Sequence, residues 1–270
     1  MSQTGSATLH QNVLETLRAV AGEIILPRFN NLQKGDVRSK THAADYVTIA
    51  DEEAERRLIP ILQGLLPSSR VVGEEGASAD IGILDAFAGP DPVWVIDPID
   101  GTANFVNGIA RFALMVALVH RGESIMGWIH EPLAGKTLIA EKGAGSWLVD
   151  VTGASRPQKM PEPPFAFRDM VVALHHKDFK KLHGKFARNV HLGSAAHDYW
   201  SISDGRIQVL AYRRLKPWDH AAGVLIHREA GGFNQMLTGQ PYRPGMPDQE
   251  GLLCASSEAI WNEVAPLREL

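Results

Sequence analysis

The sequence predicts an α+β fold, and three observations carry that expectation. Apolar residues recur at helical spacing near the N-terminus. β-Branched and aromatic runs crowd the middle of the chain. Helix-forming stretches flank those strands on either side. At 270 residues the chain can bury a full core, as one large domain or two closely packed lobes. Apolar residues make up 44% and charged residues 21%, an ordinary balance for a soluble globular protein. The formal net charge of −4 leaves no basic footprint for nucleic acid. It also disfavours an anionic substrate unless bound cations reverse the local field.

Residues 1–7 are small and polar and read as frayed. Leu9, Val13, Leu14, Leu17, Val20, Ala21, Ile24 and Ile25 then set a helix over about residues 8–26, stopped near Pro27. Residues 30–40 form a polar loop in which Lys40 reads as a solvated side chain. Asp51 opens a second helix with an apolar face of Ala54, Leu58, Ile61, Leu62 and Leu65. An aspartate at a helix start caps it or complements its dipole. Residues 70–73 are a short strand leading into Glu74-Glu75. Adjacent glutamates point in different directions, so one can face a site while the other supports the loop. Residues 76–92 read as a flexible connection with a helical turn near 83–87.

The centre of the sequence is Trp94-Val95-Ile96-Asp97-Pro98-Ile99-Asp100-Gly101-Thr102-Ala103-Asn104-Phe105. Residues 93–96 read as a buried strand. Pro98 fixes its own φ and lacks an N–H, so the strand does not simply continue through it. The turn that follows can aim Asp97 and Asp100 at one point. Two anions held that close repel unless positive charge sits between them. Hard divalent cations prefer oxygen, which makes Mg²⁺ the natural candidate. Glu74-Glu75 lies at a strand end and Trp218-Asp219-His220-Ala221-Ala222 at a helix start. Acids at three such junctions suggest a metal cluster assembled from distant segments.

Downstream, residues 112–120 and 124–130 make a hairpin about Arg121-Gly122-Glu123, and residues 136–141 a third strand before the Gly143-Ala144-Gly145 turn. The Pro- and Gly-bearing stretch 150–165 marks the boundary between an N-terminal lobe, 1–150, and a C-terminal lobe, 151–270, of one catalytic unit. Residues 171–174 are a strand. Residues 175–188 are basic and carry His175, His176 and His183. Their spacing fits no zinc pattern, so they read as a solvated helix face. Gly193-Ser194-Ala195-Ala196 precedes a helix through Tyr199, Trp200 and Ile202 that ends at Asp204-Gly205. Small residues there, Ala196 among them, either let a substrate approach the backbone or permit close helix packing. Residues 207–211 are a strand, and the helix from Trp218-Asp219 closes at Gly231-Gly232. Residues 252–255 are the last strand, with Ser256 or Ser257 capping a final helix. Neither glycine turn fits a phosphate-loop or dinucleotide fingerprint. The single cysteine, Cys254, reads as a buried small hydrophobe. The absence of an internal disulfide suits a reducing cytoplasm, and no run reads as a signal peptide or a membrane span.

Together these motifs resemble the inositol monophosphatase family of Mg²⁺-dependent, lithium-sensitive phosphomonoesterases. That family's order is an Asp, Glu-Glu, Asp-Pro-(Ile/Leu)-Asp-Gly-(Thr/Ser) and Trp-Asp-x-Ala. Asp51, Glu74-Glu75, Asp97 to Thr102 and Trp218 to Ala221 meet it in sequence, over about residues 10–265. The resemblance implies a layered α-β-α-β-α sugar-phosphatase-type fold and a cytoplasmic homodimer. It also implies two Mg²⁺ ions with a third, weaker one. It assigns Glu74, Asp97 and the Ile99 carbonyl to one metal, and Asp97, Asp100 and Asp219 to the second. Asp51 would help hold the third and its water. The Thr102 hydroxyl, with Glu74 or Asp51, would orient the attacking water. The N–H groups of Gly101 and Thr102 would take phosphate oxygens. Lys40 would lie near the entrance. Attack would be in line without a phosphoenzyme, since no activated Cys or Ser context is present.

The match departs at one point. Inositol-specific members carry a glutamate seven residues before the Trp-Asp aspartate. Here that position is Tyr212, followed by Arg213 and Arg214. A phenol can exchange hydrogen bonds but cannot act as a carboxylate at neutral pH. Tyr212 is thus a candidate substrate contact, with Asp100, Gly101, Thr102 and Ala196. The expected substrate is a small phosphorylated polyol such as inositol 1-phosphate. Histidinol phosphate, fructose 1,6-bisphosphate and 3′-phosphoadenosine 5′-phosphate are the alternatives. A protein-binding regulatory member of the same family is the non-enzyme alternative.

Overall fold

A computed structural model describes residues 3–40, 46–164, 166–176, 179, 182, 184–246 and 251–268. His183 and the first two residues of the expected frayed start lie outside them. The outermost layer is α1 (Gln3–Val20) packed beside α2 (Ile49–Leu65). The first helix starts earlier than its apolar spacing suggests. It also runs on through a π turn, Ala21–Ile25, into a 3₁₀ turn, Leu26–Arg28, where Pro27 occupies a first-turn position and so costs no hydrogen bond. Between the two helices, β1 (Val37–Ser39) and β2 (Tyr46–Thr48) pair antiparallel, so the expected polar loop is partly strand.

Beneath lies a sheet of seven strands in chain order: β3 (Arg70–Gly73), β4 (Val93–Asp100), β5 (Ala113–His120), β6 (Glu123–Glu131), β7 (Lys136–Glu141), β8 (Gly145–Val149) and β9 (Ser155–Pro157). β3 and β4 run parallel, and the later neighbours antiparallel. Two short helices, α3 (Glu74–Ala79) and α4 (Thr102–Val106), leave the C-terminal ends of β3 and β4. The stretch expected as a flexible connection is therefore largely helical, since Ile81–Ala88 adds a 3₁₀ segment. The β5–β6 turn is Arg121-Gly122, both at positive φ, the two-residue geometry that matches strand twist.

Strand period sorts the side chains. Trp94 and Ile96, with Leu114, Val116 and Leu118, face Val13 and Leu17 of α1 and Ala54, Leu58 and Leu62 of α2. Val93 and Val95, with Met115, Ala117 and Val119, face the middle helices α5 (Ala195–Ser203) and α6 (Pro217–Glu229). Each buried leucine on these faces contributes roughly 1.5–3 kcal/mol. The middle helices also cover a second, five-stranded sheet. Its spatial order is β11 (Arg188–Asn189), β10 (Val171–Leu174), β12 (Val209–Tyr212), β14 (Leu252–Ala255) and β13 (Phe233–Met236). Ala173, Leu210, Leu252 and Cys254 point to the middle helices. Val172, Leu174, Val209, Ala211 and Leu253 point outward to Phe186 and to Ile260 and Val264 of α7 (Glu258–Val264). The layers are thus helix, sheet, helix, sheet, helix, as expected. Among the described residues no helix is long and apolar enough to cross a membrane.

α6 can approach the first sheet closely because β6 carries Gly127. A Cβ there would sit 3.1 Å from the Ala222 Cα and carbonyl oxygen. Gly127→Ala is expected to push α6 off the sheet and lower stability by ~1–3 kcal/mol, read from the urea midpoint at unchanged slope.

Candidate metal centre

Two segments deliver three carboxylates to one place. Asp97 and Asp100 stand at the end of β4 and Asp219 in the first turn of α6. One oxygen from each lies within 4.8 Å of the others. Pro98 does not end β4 as the sequence suggests. The strand carries on to Asp100, but its ladder with β5 slips between Asp97 and Asp100. That irregularity is what turns both acids toward the same point. Gly101 follows at φ +86, and a Cβ there would meet the Arg111 carbonyl oxygen at 2.8 Å. Only glycine fits both the backbone conformation and the space. α4 then starts at Thr102, whose hydroxyl donates to the Ile99 carbonyl at 3.0 Å and lies 3.4 Å from Asp51 Oδ1.

The acids are held differently. Asp100 is fixed from α5: Ser194 Oγ donates to its Oδ2, Ala195 N–H to Oδ1 at 3.0 Å and Ala196 N–H to Oδ2 at 2.9 Å. The Ala196 N–H is therefore committed to Asp100. Asn104 locks the same loop by reaching the carbonyls of Arg111, Leu192 and Gly193. Asp51, fully buried, closes a capping box, taking the Thr48 N–H at 2.8 Å and the Thr48 hydroxyl at 2.6 Å. Glu74 is outside the aspartate trio. Its Oε1 accepts from Lys40 Nζ at 2.8 Å, and Glu75 accepts from the same ammonium at 2.7 Å. The solvated lysine expected from the sequence is thus corrected: Lys40 is 11% exposed because two glutamates hold it. Behind them Glu55 takes the N–H groups of Glu75 and Gly76, capping α3.

This density of acid perturbs proton binding. Burial, followed by the fields of Glu74, Asp100 and Asp219, raises the Asp97 pKa well above the carboxylate range. Asp219 moves the same way through desolvation and then Asp100 and Glu74. Burial lifts Asp100 to about 6 despite its three donors, Asp51 to about 7 and, with Glu74 adding, Glu75 to about 8. Burial works against the Lys40 ammonium, yet Glu74 and then Glu75 raise its pKa above the ordinary lysine value.

Asp97 Oδ1 is buried with no hydrogen-bond partner among the described residues. A buried carboxylate oxygen without a donor, among two further carboxylates, is the donor set a hard oxygen-seeking cation requires. The residues therefore fit Mg²⁺. Since Ser194 orients Asp100, Ser194→Ala is expected to weaken Mg²⁺ binding roughly 10-fold, measured by calorimetry.

Two clefts open on the trio. One, of about 1020 Å³, is lined by Lys40, Glu74, Glu75, Trp218 and Asp219. The other, of about 600 Å³, is lined by Asp100, Asp219, Ser194, Asp198, His175 and Tyr212. Arg214 borders both. Tyr212, at the end of β12, donates its hydroxyl to Asp198 Oδ2 at 2.5 Å, and His175 Nε2 donates to the same oxygen at 2.8 Å. The solvated helix face expected for residues 175–188 is corrected here. His175 stacks on Tyr212 and pairs with Asp198, while His176 is buried. Nothing in the sequence singled out Asp198, which lies in the first turn of α5. His220 bridges the Tyr199 hydroxyl and the Arg214 carbonyl, fixing the chain between β12 and α6. Burial drops its pKa to about 4 and keeps it neutral.

The chain is similar to known proteins over nearly its whole length. The model of the inositol monophosphatase family matches residues 9–269. The chain is 32% identical over 205 residues to a Thermotoga maritima fructose-1,6-bisphosphatase/inositol-1-monophosphatase, covering 76% of this chain and 77% of the relative. It is 32% identical over 230 residues to the Nus factor SuhB of Pseudomonas aeruginosa, covering 81% and 82%. The solved Thermotoga maritima IMPase superposes with a TM-score of 0.78 at 28% identity, over 94% of each chain.

Proposed function

The chain belongs to the inositol monophosphatase family, and on that premise we propose that it is a Mg²⁺-dependent phosphomonoesterase acting on a small phosphorylated polyol such as inositol 1-phosphate. The observation that carries this reading is the convergence of Asp97, Asp100 and Asp219, with Asp97 Oδ1 left unpaired among the described residues. Glu74, Asp97 and the Ile99 carbonyl would hold one ion, and Asp97, Asp100 and Asp219 the second. Bound there, Mg²⁺ supplies positive charge for the phosphate oxygens and acidifies a water.

The chain's own groups do the rest. Thr102 Oγ1, set between the Ile99 carbonyl and Asp51 Oδ1, orients the attacking water, with Asp51 or Glu74 accepting its proton. The first N–H groups of α4, which have no partner within the helix, and that of Gly101 take phosphate oxygens. Lys40 holds Glu74 and Glu75 in place and keeps a positive charge at the cleft wall.

The relatives' names support inositol 1-phosphate and fructose 1,6-bisphosphate, and histidinol phosphate and 3′-phosphoadenosine 5′-phosphate complete the test set. A regulatory, protein-binding role is the second reading, favoured by the SuhB relative at 32% identity. The experiment is phosphate release from this panel with Mg²⁺, with chelator and with Asp97→Asn. One substrate is expected to stand out and to need both Mg²⁺ and Asp97. A folded, Mg²⁺-binding protein that hydrolyses none of them would sink the enzyme reading in favour of the regulatory one.

A further inference from the structure

A line of side chains runs from the Asp100 carboxylate out to the end of β6. Ser194 Oγ donates to Asp100 Oδ2, and His197 Nδ1 lies 2.9 Å from that same Oγ. The other ring nitrogen of His197, Nε2, faces Glu131 Oε1 at 3.4 Å. Glu131 is the last residue of β6, so this line ties the first sheet to the start of α5 and returns to the end of β4. A serine hydroxyl has one proton to give and two lone pairs to offer. The Ser194 proton goes to Asp100, because an ionised carboxylate can only accept. One lone pair takes the His197 N–H at 3.2 Å and caps α5. The other is left for His197 Nδ1, which therefore donates. Were that nitrogen bare, as in a ring whose only proton points from Nε2 to Glu131, it would compete with Asp100 for the one hydroxyl proton. The ring that satisfies every partner donates at both nitrogens, to Ser194 through Nδ1 and to Glu131 through Nε2. The electrostatics run the same way. Burial lifts Asp100 to about 6, and Ser194, the Ala196 N–H and then His197 pull it back. Contact with His197 is the first cause holding the Glu131 carboxyl below its ordinary range, with burial opposing it.

We propose that His197, braced by Glu131, is a positioning residue for the metal centre: its Nδ1–H commits the Ser194 hydroxyl proton to Asp100 and so fixes the orientation in which that carboxylate holds Mg²⁺. His197 and Glu131 are not among the residues lining the two clefts, so they act through Ser194 rather than on the ester. This role rests on the metal-dependent phosphomonoesterase reading above and extends the support of Asp100 beyond Ser194 to β6.

The test is a double-mutant cycle read by calorimetric titration of Mg²⁺ into the metal-free protein, with no turnover required. His197→Phe keeps the bulk of the ring and removes both donors, and its Mg²⁺ Kd is expected to rise roughly 3- to 10-fold. In a Ser194→Ala background the same substitution should change Kd by less than about twofold, because His197 acts through the hydroxyl. His197→Asn, whose amide nitrogen falls near the place of Nδ1, should recover most of the affinity. His197→Gln, whose amide reaches toward the place of Nε2, should not. Glu131→Gln should weaken binding by about two- to threefold, as the brace of the ring is loosened. An Mg²⁺ affinity unchanged in His197→Phe, or a loss as large with Ser194 already removed, would overturn the proposal and leave the phosphatase reading untouched. Equal affinities in His197→Asn and His197→Gln would mark the ring as packing only and overturn it too. Should His197→Phe fail to fold, that Asn–Gln comparison decides. If the affinities follow the expected pattern but no ester of the panel is hydrolysed, the phosphatase reading fails and the support of Asp100 stands. A folded protein that binds no Mg²⁺ at all would sink both.

Discussion

Asp97→Asn will melt at a higher temperature than the unsubstituted protein without metal, will gain nothing from Mg²⁺, and will release phosphate roughly 10³-fold more slowly or worse. The three outcomes share one cause. Asp97 is buried at the meeting point of Glu74, Asp100 and Asp219, and its Oδ1 has no donor among the described residues. Without metal, desolvation and the neighbouring carboxylates force Asp97 to hold a proton that the unfolded chain releases, which costs stability. Asparagine keeps the shape, needs no proton uptake and offers an N–H₂ to the surrounding carboxylates. Relief of ~1–3 kcal/mol would raise Tm by roughly 2–10 °C for a chain of this size. The same change removes the shared anion from the metal site. Asp100→Asn should differ. Among the described residues its donors are Ser194, Ala195 and Ala196, so either orientation of the amide sets N–H₂ against a donor. That variant should lose activity and also ~1–3 kcal/mol of stability. Thermal melts with Mg²⁺ and with chelator, beside phosphate release, check both. Near-normal turnover by Asp97→Asn, or an undiminished Mg²⁺-dependent rise in its Tm, would remove Asp97 from the metal centre.

The acids themselves were legible in the sequence because each sits where an element ends, and the punctuation there is local. Pro98 and Gly101 flag the end of β4, Gly73 the end of β3, and Pro217 the start of α6. The elements were legible because the apolar runs of β4, β5 and β10 and the helical spacing in α1 and α2 are local patterns too, whereas the layering came from the family resemblance. What was not legible lies in contacts between distant segments. Ser194 meets Asp100 across 94 residues and Asn104 meets Gly193 across 89. Neither serine nor asparagine announces such a partner. Lys40 looked solvated because its neighbours in sequence are polar, whereas its neighbours in space are Glu74 and Glu75. Asp198 passed unremarked in the sequence because only β12, folded beside α5, brings Tyr212 to it. β8, β9 and β13 went unseen for a different reason. They are short, and Asn234 and Gln235 or Arg156 and Pro157 give no apolar alternation, so pairing with a neighbour defines them rather than propensity.

Raising the pH from 6.5 to 8.5 should destabilise the metal-free protein, and saturating Mg²⁺ should cancel or reverse the trend. The sign follows from which state holds more protons. Asp51 at about 7, Glu75 at about 8, and Asp97 and Asp219 well above the carboxylate range all keep protons in the fold that the unfolded chain has released. The native state therefore binds more protons, and stability falls as pH rises through those folded values. Below 6.5 the trend is blurred. His130, His220 and His227, each lowered by burial to about 4, take up protons only on unfolding, so their contribution grows as pH rises from 4 to 6.5. Above 6.5 those histidines are neutral in both states and the carboxylates act unopposed. One group that stays protonated throughout gives a slope of ~1.4 kcal/mol per pH unit, on the order of 3 kcal/mol over the window. Their mutual repulsion makes the groups titrate as a set rather than additively. Mg²⁺ competes with those protons for the same oxygens, so its affinity rises with pH while the metal-free fold weakens. Tm measured at pH 6.5, 7.5 and 8.5, in chelator and in excess Mg²⁺, should give two lines that diverge with pH. Parallel lines would mean that the protons and the cation do not share a site, and that the clustered carboxylates are not where Mg²⁺ binds.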